Sequence, residues 1–171
     1  MLFRSPVTQP FAPQSAPVVA FFHATSKDTK KWPLTHWVAV GRELSRRGFQ
    51  VVLPWGSAGE RNTAEQIAAQ LPGATVLPPM SVTEVAQMID VCALVIGTDT
   101  GFVHLAHALQ KRTVMIFVAT SPSHCGVEAP HRSTSIGDGR SVPPVSAALE
   151  AIDYVQASEP VLAMRHGSAV A

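Results

Sequence analysis

Cysteine and charge are both scarce in this sequence of 171 residues. Its two cysteines, Cys92 and Cys125, lack a short metal-type spacing and do not make a disulfide framework, so a reducing cytoplasm is the expected compartment. Charged residues make up 15% of the chain, and the formal net charge is +1. A chain with so little excess positive charge is not expected to take nucleic acid as its main ligand.

Several patterns that would indicate a function are also missing. No apolar run approaches the ~18 residues of a membrane span, and the start of the chain lacks the basic-then-apolar order of a secretion signal. There is no Gly-x-x-x-x-Gly-Lys-Ser/Thr loop, no Gly-x-Gly-x-x-Gly fingerprint and no Gly-x-Ser-x-Gly elbow. No His-x-x-x-His pair stands beside a suitable glutamate. A P-loop hydrolase and a zinc hydrolase are therefore not supported, and we expect neither a metal nor a cofactor.

What the chain does have is a large apolar fraction, 46%, in a regular alternation. Short apolar runs, typical of strands buried on both faces, are separated by segments with helical spacing of apolar residues. This alternation predicts an α/β fold, with a Rossmann-like parallel sheet of five or six strands and helices on both faces. The predicted strands are 18–22, 50–54, 75–77, 93–96, 113–118 and 133–136. The predicted helices run over about 35–47, 58–71, 81–90, 100–109 and 144–157.

Residues 93–109 are predicted to form a strand, a tight turn and a helix. Gly97 and Thr98 are expected to end the strand. The side of the helix expected to face the core carries Val103, Ala106 and Leu109. Ligands of parallel sheets bind beyond the carboxyl ends of the strands, so the turn between this strand and this helix is a candidate site.

The start of that helix has the residues of an anion site. Asp99 or Thr100 occupies the N-cap position, and Gly101 lets another group approach the backbone closely. Free amides and the positive end of the helix dipole would attract a diphosphate, to which His104 could also donate. The alternative is an ordinary capped helix after a core strand.

The loops after the other predicted strands carry further candidates. Thr25, Ser26 and Lys30 could hold phosphate oxygens, or they could belong to a solvated loop. Glu60 opens a helix, where it could accept hydrogen bonds from ribose hydroxyls or merely favour the helix dipole. Met80 lies in a proline-flanked turn, where it could cover one face of a base or belong to the core.

Taken in order, four motifs resemble those of glycosyltransferase family 9, the bacterial heptosyltransferases. They are His-Ala-Thr-Ser-Lys-Asp-x-Lys-x-Trp-Pro at 23–33, Leu-Pro-Trp-Gly at 53–56, Pro-Met-Ser at 79–81 and Asp-Thr-Gly-x-x-His-Leu at 99–105. The first two are nearer to the heptosyltransferase I branch than to the heptosyltransferase II branch. At 119–121 the chain has Ala-Thr-Ser, where the family often has a turn of Gly-Pro-Thr type.

The resemblance implies the C-terminal half of a two-domain GT-B transferase, which binds ADP-heptose as donor. The acceptor, Kdo on lipid A, would bind to an N-terminal half. The implied reaction is an inverting transfer of heptose without a metal in lipopolysaccharide inner-core synthesis. Its general base is expected in the N-terminal half, so no catalytic residue is assigned here and this chain alone is expected to be inactive. The alternative is a stand-alone adenine-nucleotide-binding module without catalysis.

The resemblance also implies a role for each candidate residue. Thr25, Ser26 and Lys30 would hold the diphosphate, Glu60 the ribose, and Met80 would border the adenine. Asp99 would contact the heptose, and the Thr100–Gly101 amides with His104 would complete the site.

The same resemblance sets the expected organisation of the chain. Residues 1–17 would be a proline-rich linker, 18–157 the donor-binding domain and 158–171 a C-terminal tail. The full enzyme would be cytoplasmic and peripheral to the inner face of the inner membrane.

Overall fold

The computed structural model describes residues 15–25 and 27–157. The strands of this part of the chain are β1 (Val18–Phe22), β2 (Gln50–Leu53), β3 (Thr75–Val76), β4 (Leu94–Thr98), β5 (Thr113–Ile116) and β6 (Ser133–Ile136). The helices are α1 (Leu34–Arg46), α2 (Ala58–Ala68), α3 (Val82–Val91), α4 (Gly101–Ala108) and α5 (Val145–Gln156). The strands form one parallel sheet in the order β3-β2-β1-β4-β5-β6. The predicted α/β fold with a Rossmann-like parallel sheet is confirmed.

Both faces of the sheet are covered by helices, and the central strands β1, β4 and β5 are accordingly buried at every position and largely apolar. All five residues of β1 are buried. Val19 and Phe21 pack on one face with α1, α2 and α5, while Ala20 and Phe22 pack on the other with α3 and α4. Each large side chain buried in this way contributes roughly 1.5–3 kcal/mol relative to an exposed one.

Three predicted boundaries are wrong by two or three residues. The strand β4 does not end before Gly97 and Thr98, because both residues pair with β1 or β5 neighbours in the ladder. The strand β5 ends at Ile116 and not at residue 118. The helix α2 ends at Ala68, although Leu71 is buried as the apolar pattern implied.

One helix terminus is capped by side chains, and another departs from the sequence pattern. Ser81 accepts a hydrogen bond from the Glu84 amide, and the Glu84 carboxylate accepts one from the Ser81 amide, so a capping box begins α3. In α4, Val103 and Ala106 are buried, but Leu109 is 38% exposed. It is the residue after the last helical turn, where the backbone no longer holds the core-facing direction.

The order in which the chain adds strands to the sheet reverses between β1 and β4: β2 and β3 lie on one side of this pair, and β5 and β6 lie on the other. The two strands are closely packed at this point. The Thr98 hydroxyl donates to the Ala24 carbonyl oxygen at 3.0 Å, which joins the ends of the two strands. A Cβ added to Gly97 would lie 2.7 Å from Phe22 Cβ and 2.4 Å from Val103 Cγ2. The loops that follow β1 and β4 therefore leave the sheet side by side, at the point where ligands of such sheets bind.

The linker predicted at 1–17 and the tail predicted at 158–171 fall almost wholly outside the described residues, and both stay predictions. Among the helices that the structure describes, none combines the length and the apolar character needed to cross a bilayer.

We expect Gly97→Ala to destabilise the fold by roughly 1–3 kcal/mol, because the added methyl group overfills the contact between β1, β4 and α4. Urea unfolding measures the change. The control is Gly59→Ala in α2, where an added Cβ meets nothing within 4 Å; its stability should be unchanged or higher by up to about 1 kcal/mol. A Gly97→Ala protein as stable as the parent would contradict the close approach.

Candidate functional site

A cleft of about 820 Å³ opens beyond the carboxyl ends of β1, β2 and β4, and its volume is typical of small-molecule sites. Six of the nine predicted site residues line it: Thr25, Glu60, Met80, Asp99, Thr100 and Gly101. Lys30 and His104 reach the same place through contacts with Asp99. Ser26, the ninth, lies outside the described residues. The fold thus brings together eight residues that are spread over the sequence.

The Asp99 carboxylate is the polar centre of the cleft, and its side chain is 17% exposed. Its Oδ2 lies 3.6 Å from Lys30 Nζ and accepts a hydrogen bond from the Thr120 hydroxyl at 3.5 Å. Its Oδ1 lies 3.6 Å from His104 Nε2 and 3.8 Å from Cys125 Sγ. The loops after β1, β4 and β5 therefore meet at one carboxylate.

Lys30 is directed into the cleft by a short 3-10 turn, Asp28–Lys30. Lys31 turns away and pairs with Asp28 at 2.6 Å, and Lys27 is exposed. The Lys30 side chain is only 23% exposed and is paired with Asp99. The three lysines of this loop consequently have different environments, and Lys30 is the one at the site.

The start of α4 lies where the sequence predicts it, because Thr100 is the N-cap residue. Neither its side chain nor that of Asp99 accepts a capping hydrogen bond, so the capping interaction expected at this position is absent. The Asp99 oxygens instead contact the lysine, hydroxyl, imidazole and thiol around them. The Thr100 hydroxyl is buried and has no partner among the described residues.

This helix start is open to the cleft. A Cβ added to Gly101 would meet nothing within 4 Å, and the first-turn amides of an α-helix have no intrahelical acceptor. An amide-rich, sterically open helix terminus attracts anions. The buried Thr25 hydroxyl also lacks a partner in the described part of the chain, on the β1 side of the cleft.

Glu60 is held in a defined orientation at the start of α2. Its Oε2 accepts a hydrogen bond from the Gly56 amide at 2.6 Å, and its own amide donates to Ser57 Oγ at 3.3 Å. One carboxylate oxygen is thereby engaged in capping. Glu60 lines the cleft as well, so the two predicted roles, helix start and ligand contact, are structurally compatible.

One wall of the cleft is apolar. Met80 is half-buried against the core formed with α3 and α4, and Val82, at 68% exposure, lies beside it. Trp55 is fixed by a hydrogen bond from its indole nitrogen to the Leu77 carbonyl oxygen at 2.6 Å. Phe102 completes this wall. Such a surface can cover the flat face of an aromatic ligand.

A second cavity of about 430 Å³ adjoins the cleft across Thr25 and Glu60. His23 lines it and is 4% exposed, and its Nε2 has no partner among the described residues. Burial lowers the pKa of His23 to about 4, with a smaller contribution from the Lys31 charge, while the Glu60 charge acts in the opposite direction. The His23 imidazole is therefore neutral at pH 7.

Residues 3–142 match the model of glycosyltransferase family 9 (heptosyltransferase). The chain belongs to glycosyltransferase family 9. The predicted family resemblance is confirmed.

Curated relatives include lipopolysaccharide heptosyltransferase 1 of Pseudomonas aeruginosa, 39% identical over 115 residues, or 67% of this chain. The Escherichia coli K12 enzyme of the same name is 35% identical over 62% of this chain. Lipopolysaccharide heptosyltransferase 2 of E. coli K12 is 29% identical over 54%, so the type 1 branch is the nearer one, as predicted. The chain spans about one third of the length of the heptosyltransferase 1 relatives, 32% and 33% for these two.

The solved structures agree with this family membership. E. coli heptosyltransferase WaaC with ADP matches at a TM-score of 0.75 and 29% identity, over 82% of this chain and 45% of that one. WaaC with ADP-2-deoxy-2-fluoro heptose matches at a TM-score of 0.70 and 28% identity, over 82% of this chain and 44% of that one. The fold is shared by E. coli ADP-heptose lipopolysaccharide heptosyltransferase II, which matches at a TM-score of 0.73 and 23% identity, over 84% of this chain and 47% of that one.

Sequence reasoning missed several members of the site. Thr120 and Cys125 lie in the loop after β5, and their approach to Asp99 depends on a loop conformation that has no sequence period. The available signal was positional, because a loop after a parallel strand lies at the ligand-binding edge. His23 belongs to one of the family motifs, but no pattern in the sequence indicates that its imidazole is buried without a partner among the described residues.

The buried His23 predicts that the protein loses stability in acid. In the unfolded chain His23 has a pKa of 6.5 and binds a proton below that pH, whereas in the folded chain it stays neutral down to about pH 4. The contribution of His23 to the free energy of unfolding is therefore complete above pH 6.5. It decreases as the pH falls, by about 2–3 kcal/mol at pH 4.5.

We expect His23→Leu to remove that share of the pH dependence. The measurement is the free energy of urea unfolding at pH 7 and pH 4.5. The matched control is His124→Leu at an exposed position, which should keep the parent's difference between the two pH values. An unchanged difference in His23→Leu would show that His23 is protonated in the folded state.

Proposed function

We propose that this chain is the donor-binding, C-terminal half of a GT-B heptosyltransferase. The enzyme would transfer heptose from ADP-heptose to Kdo of lipid A in lipopolysaccharide inner-core synthesis. The observation that carries the proposal is the convergence of a lysine, an open helix N-terminus and an apolar wall in one cleft at the β1–β4 edge. Support comes from the likeness to WaaC, whose structures contain ADP and a fluorinated ADP-heptose.

The diphosphate is assigned to the junction of the loops after β1 and β4. Lys30 offers an ammonium group at 3.6 Å from Asp99, and the start of α4 offers backbone amides. The buried hydroxyls of Thr25 and Thr100 lack partners among the described residues, and phosphate oxygens would satisfy them. His104 stands one helical turn further on. The family motif adds Ser26 to this set.

The nucleoside is assigned to the β2 side of the cleft. The Glu60 carboxylate accepts a backbone hydrogen bond through Oε2, and its other oxygen is proposed to accept from ribose hydroxyls. Met80, Val82 and Trp55 form the apolar surface on which the adenine would lie. An adenine with its flat face covered on this wall leaves the diphosphate directed toward α4.

The heptose is assigned to Asp99, which is close to the diphosphate groups. Transfer by inversion, without a metal, needs an attacking acceptor and a base, and both are proposed to come from an N-terminal half. No residue of this chain is assigned as the base. Lys30 and the α4 amides would stabilise the charge that grows on ADP as it leaves.

A chain of this length is proposed to be inactive alone, because transfer also requires an oriented acceptor. A stand-alone adenine-nucleotide-binding module remains the second candidate, and both candidates require donor binding. In the full enzyme the domain would work in the cytoplasm, at the inner face of the inner membrane, where the lipid acceptor is presented.

We expect ADP to bind more tightly than UDP by about tenfold. A purine covers more of the Met80 and Val82 surface than a pyrimidine does, and about 50 Å² of extra apolar burial is worth roughly 1.3 kcal/mol. Calorimetry with the two nucleotides measures this ratio. Equal or tighter binding of UDP would contradict the assignment of the apolar wall to adenine.

We expect Lys30→Ala to weaken ADP binding by about ten- to a hundredfold, since a charge-assisted contact is worth roughly 1.5–3 kcal/mol. Calorimetry measures the affinity, and thermal unfolding checks the fold, which should be unchanged. The matched control is Lys27→Ala in the same loop, where the exposed side chain has no place in the cleft. Equal ADP affinity in Lys30→Ala and the parent would contradict the assignment of the diphosphate to this loop.

A further inference from the structure

Two metal-ligating side chains, those of His104 and Cys125, converge on one oxygen of the Asp99 carboxylate. Oδ1 lies 3.6 Å from His104 Nε2 and 3.8 Å from Cys125 Sγ. One ligand atom of each residue lies within 4.8 Å of the other two. The three atoms come from the turn after β4, from α4 and from the loop after β5. Both contacts to Oδ1 are long, 3.6 Å for the imidazole and 3.8 Å for the thiol, so an ion shared by the three groups could replace them.

The spacing fits a tetrahedral ion. Zinc binds oxygen and nitrogen at about 2.0–2.2 Å and sulfur at about 2.3 Å, so neighbouring ligand atoms of such a tetrahedral site are about 3.3–3.7 Å apart. The observed separations of 3.6 and 3.8 Å lie at the upper end of this range and just above it. Cys125 is exposed, and small rotations of its side chain can adjust the remaining distance.

The donor set selects the class of ion. One carboxylate oxygen, one imidazole nitrogen and one thiolate sulfur suit zinc, or cobalt as its substitute, whereas magnesium and calcium need oxygen ligands throughout. Three protein ligands leave the fourth position of a tetrahedral ion open to water or another small ligand.

The outer contacts of Asp99 support the same arrangement. Its second oxygen, Oδ2, faces Lys30 at 3.6 Å and accepts from the Thr120 hydroxyl at 3.5 Å. An ion bound at Oδ1 would leave both contacts in place, and such outer contacts orient a ligating carboxylate. The Lys30 charge would lie on the far side of the carboxylate from the ion.

We propose that Asp99, His104 and Cys125 form a site for a zinc-class transition-metal ion at the edge of the cleft. The ion is not a reagent of heptose transfer. It occupies Asp99 and His104, so metal and nucleotide sugar exclude one another at the site. This second statement, unlike the first, rests on the proposed function.

Cobalt and zinc titration of the purified chain tests the site. Cobalt should bind one ion per chain with a near-ultraviolet thiolate-to-cobalt band, and zinc should displace it. In Cys125→Ala the band should vanish and zinc affinity should fall at least about tenfold, because even outer-shell partners of metal ligands are worth 10- to 100-fold. His104→Ala should lose affinity to a similar extent.

The control variants separate this cluster from other ligands. His124→Ala removes the exposed histidine next to Cys125 and should bind both metals like the parent. Cys92 is buried, and its thiol donates to the Met88 carbonyl oxygen at 3.2 Å, so it should give no thiolate band. Absence of the band in the parent, its survival in Cys125→Ala, or equal zinc affinity of the two proteins would overturn the site.

Exclusion of the nucleotide sugar is tested separately by calorimetry. Saturating zinc should weaken ADP-heptose binding at least tenfold in the parent and should not change it in Cys125→Ala. The variant also serves as the control for zinc that the nucleotide itself binds. Equal weakening in both proteins would overturn the mutual exclusion of metal and nucleotide sugar but not the metal site. Failure of ADP-heptose to bind without zinc would instead overturn the proposed function.

Discussion

The close contact between β1 and β4 fixes where the loops that carry Lys30 and Asp99 leave the sheet. Gly97 leaves no room for a side chain between Phe22 and Val103, and the Thr98 hydroxyl ties the end of β4 to the Ala24 carbonyl oxygen. The strands are adjacent and parallel, so the loops that follow them start from one edge. Lys30 and Asp99, about seventy residues apart in the chain, meet for this reason.

The same contact brings polar groups of the site together in a chain that has few charged residues, 15% of its sequence. The Lys30 ammonium group, the Asp99 carboxylate and the His104 imidazole share one partly buried corner of the cleft. Charges in such a corner interact more strongly than on the surface, because less water screens them. The orphaned Thr25 and Thr100 hydroxyls add neutral donors to the same corner. A polar ligand would satisfy these groups, which the described protein atoms do not.

The sequence predicted the sheet and its helices well, since strands buried on both faces leave unbroken apolar runs such as 18–22. It predicted the joint position of Asp99 and Lys30 by topology alone, because the carboxyl ends of parallel strands share an edge. It did not predict the missing cap of α4, since the competing partners of Asp99 come from remote loops. The boundary of β4 was misplaced because Gly97 was read as a breaker, while packing requires it inside the strand.

The pair of Lys30 and Asp99 is loose enough to be exchanged for a ligand. Its 3.6 Å separation is long for a charge-assisted hydrogen bond, and both side chains keep some exposure. At this separation the pair lacks the charge-assisted hydrogen bond that a contact of about 2.7–2.9 Å would give, whereas a lysine contact with a diphosphate in the cleft is worth roughly 1.5–3 kcal/mol. Under the proposed function the exchange is favourable: Lys30 moves to the anion, and Asp99 is released to accept from sugar hydroxyls. Without a ligand, the same pair keeps a carboxylate and an ammonium from being left uncompensated in a partly buried site.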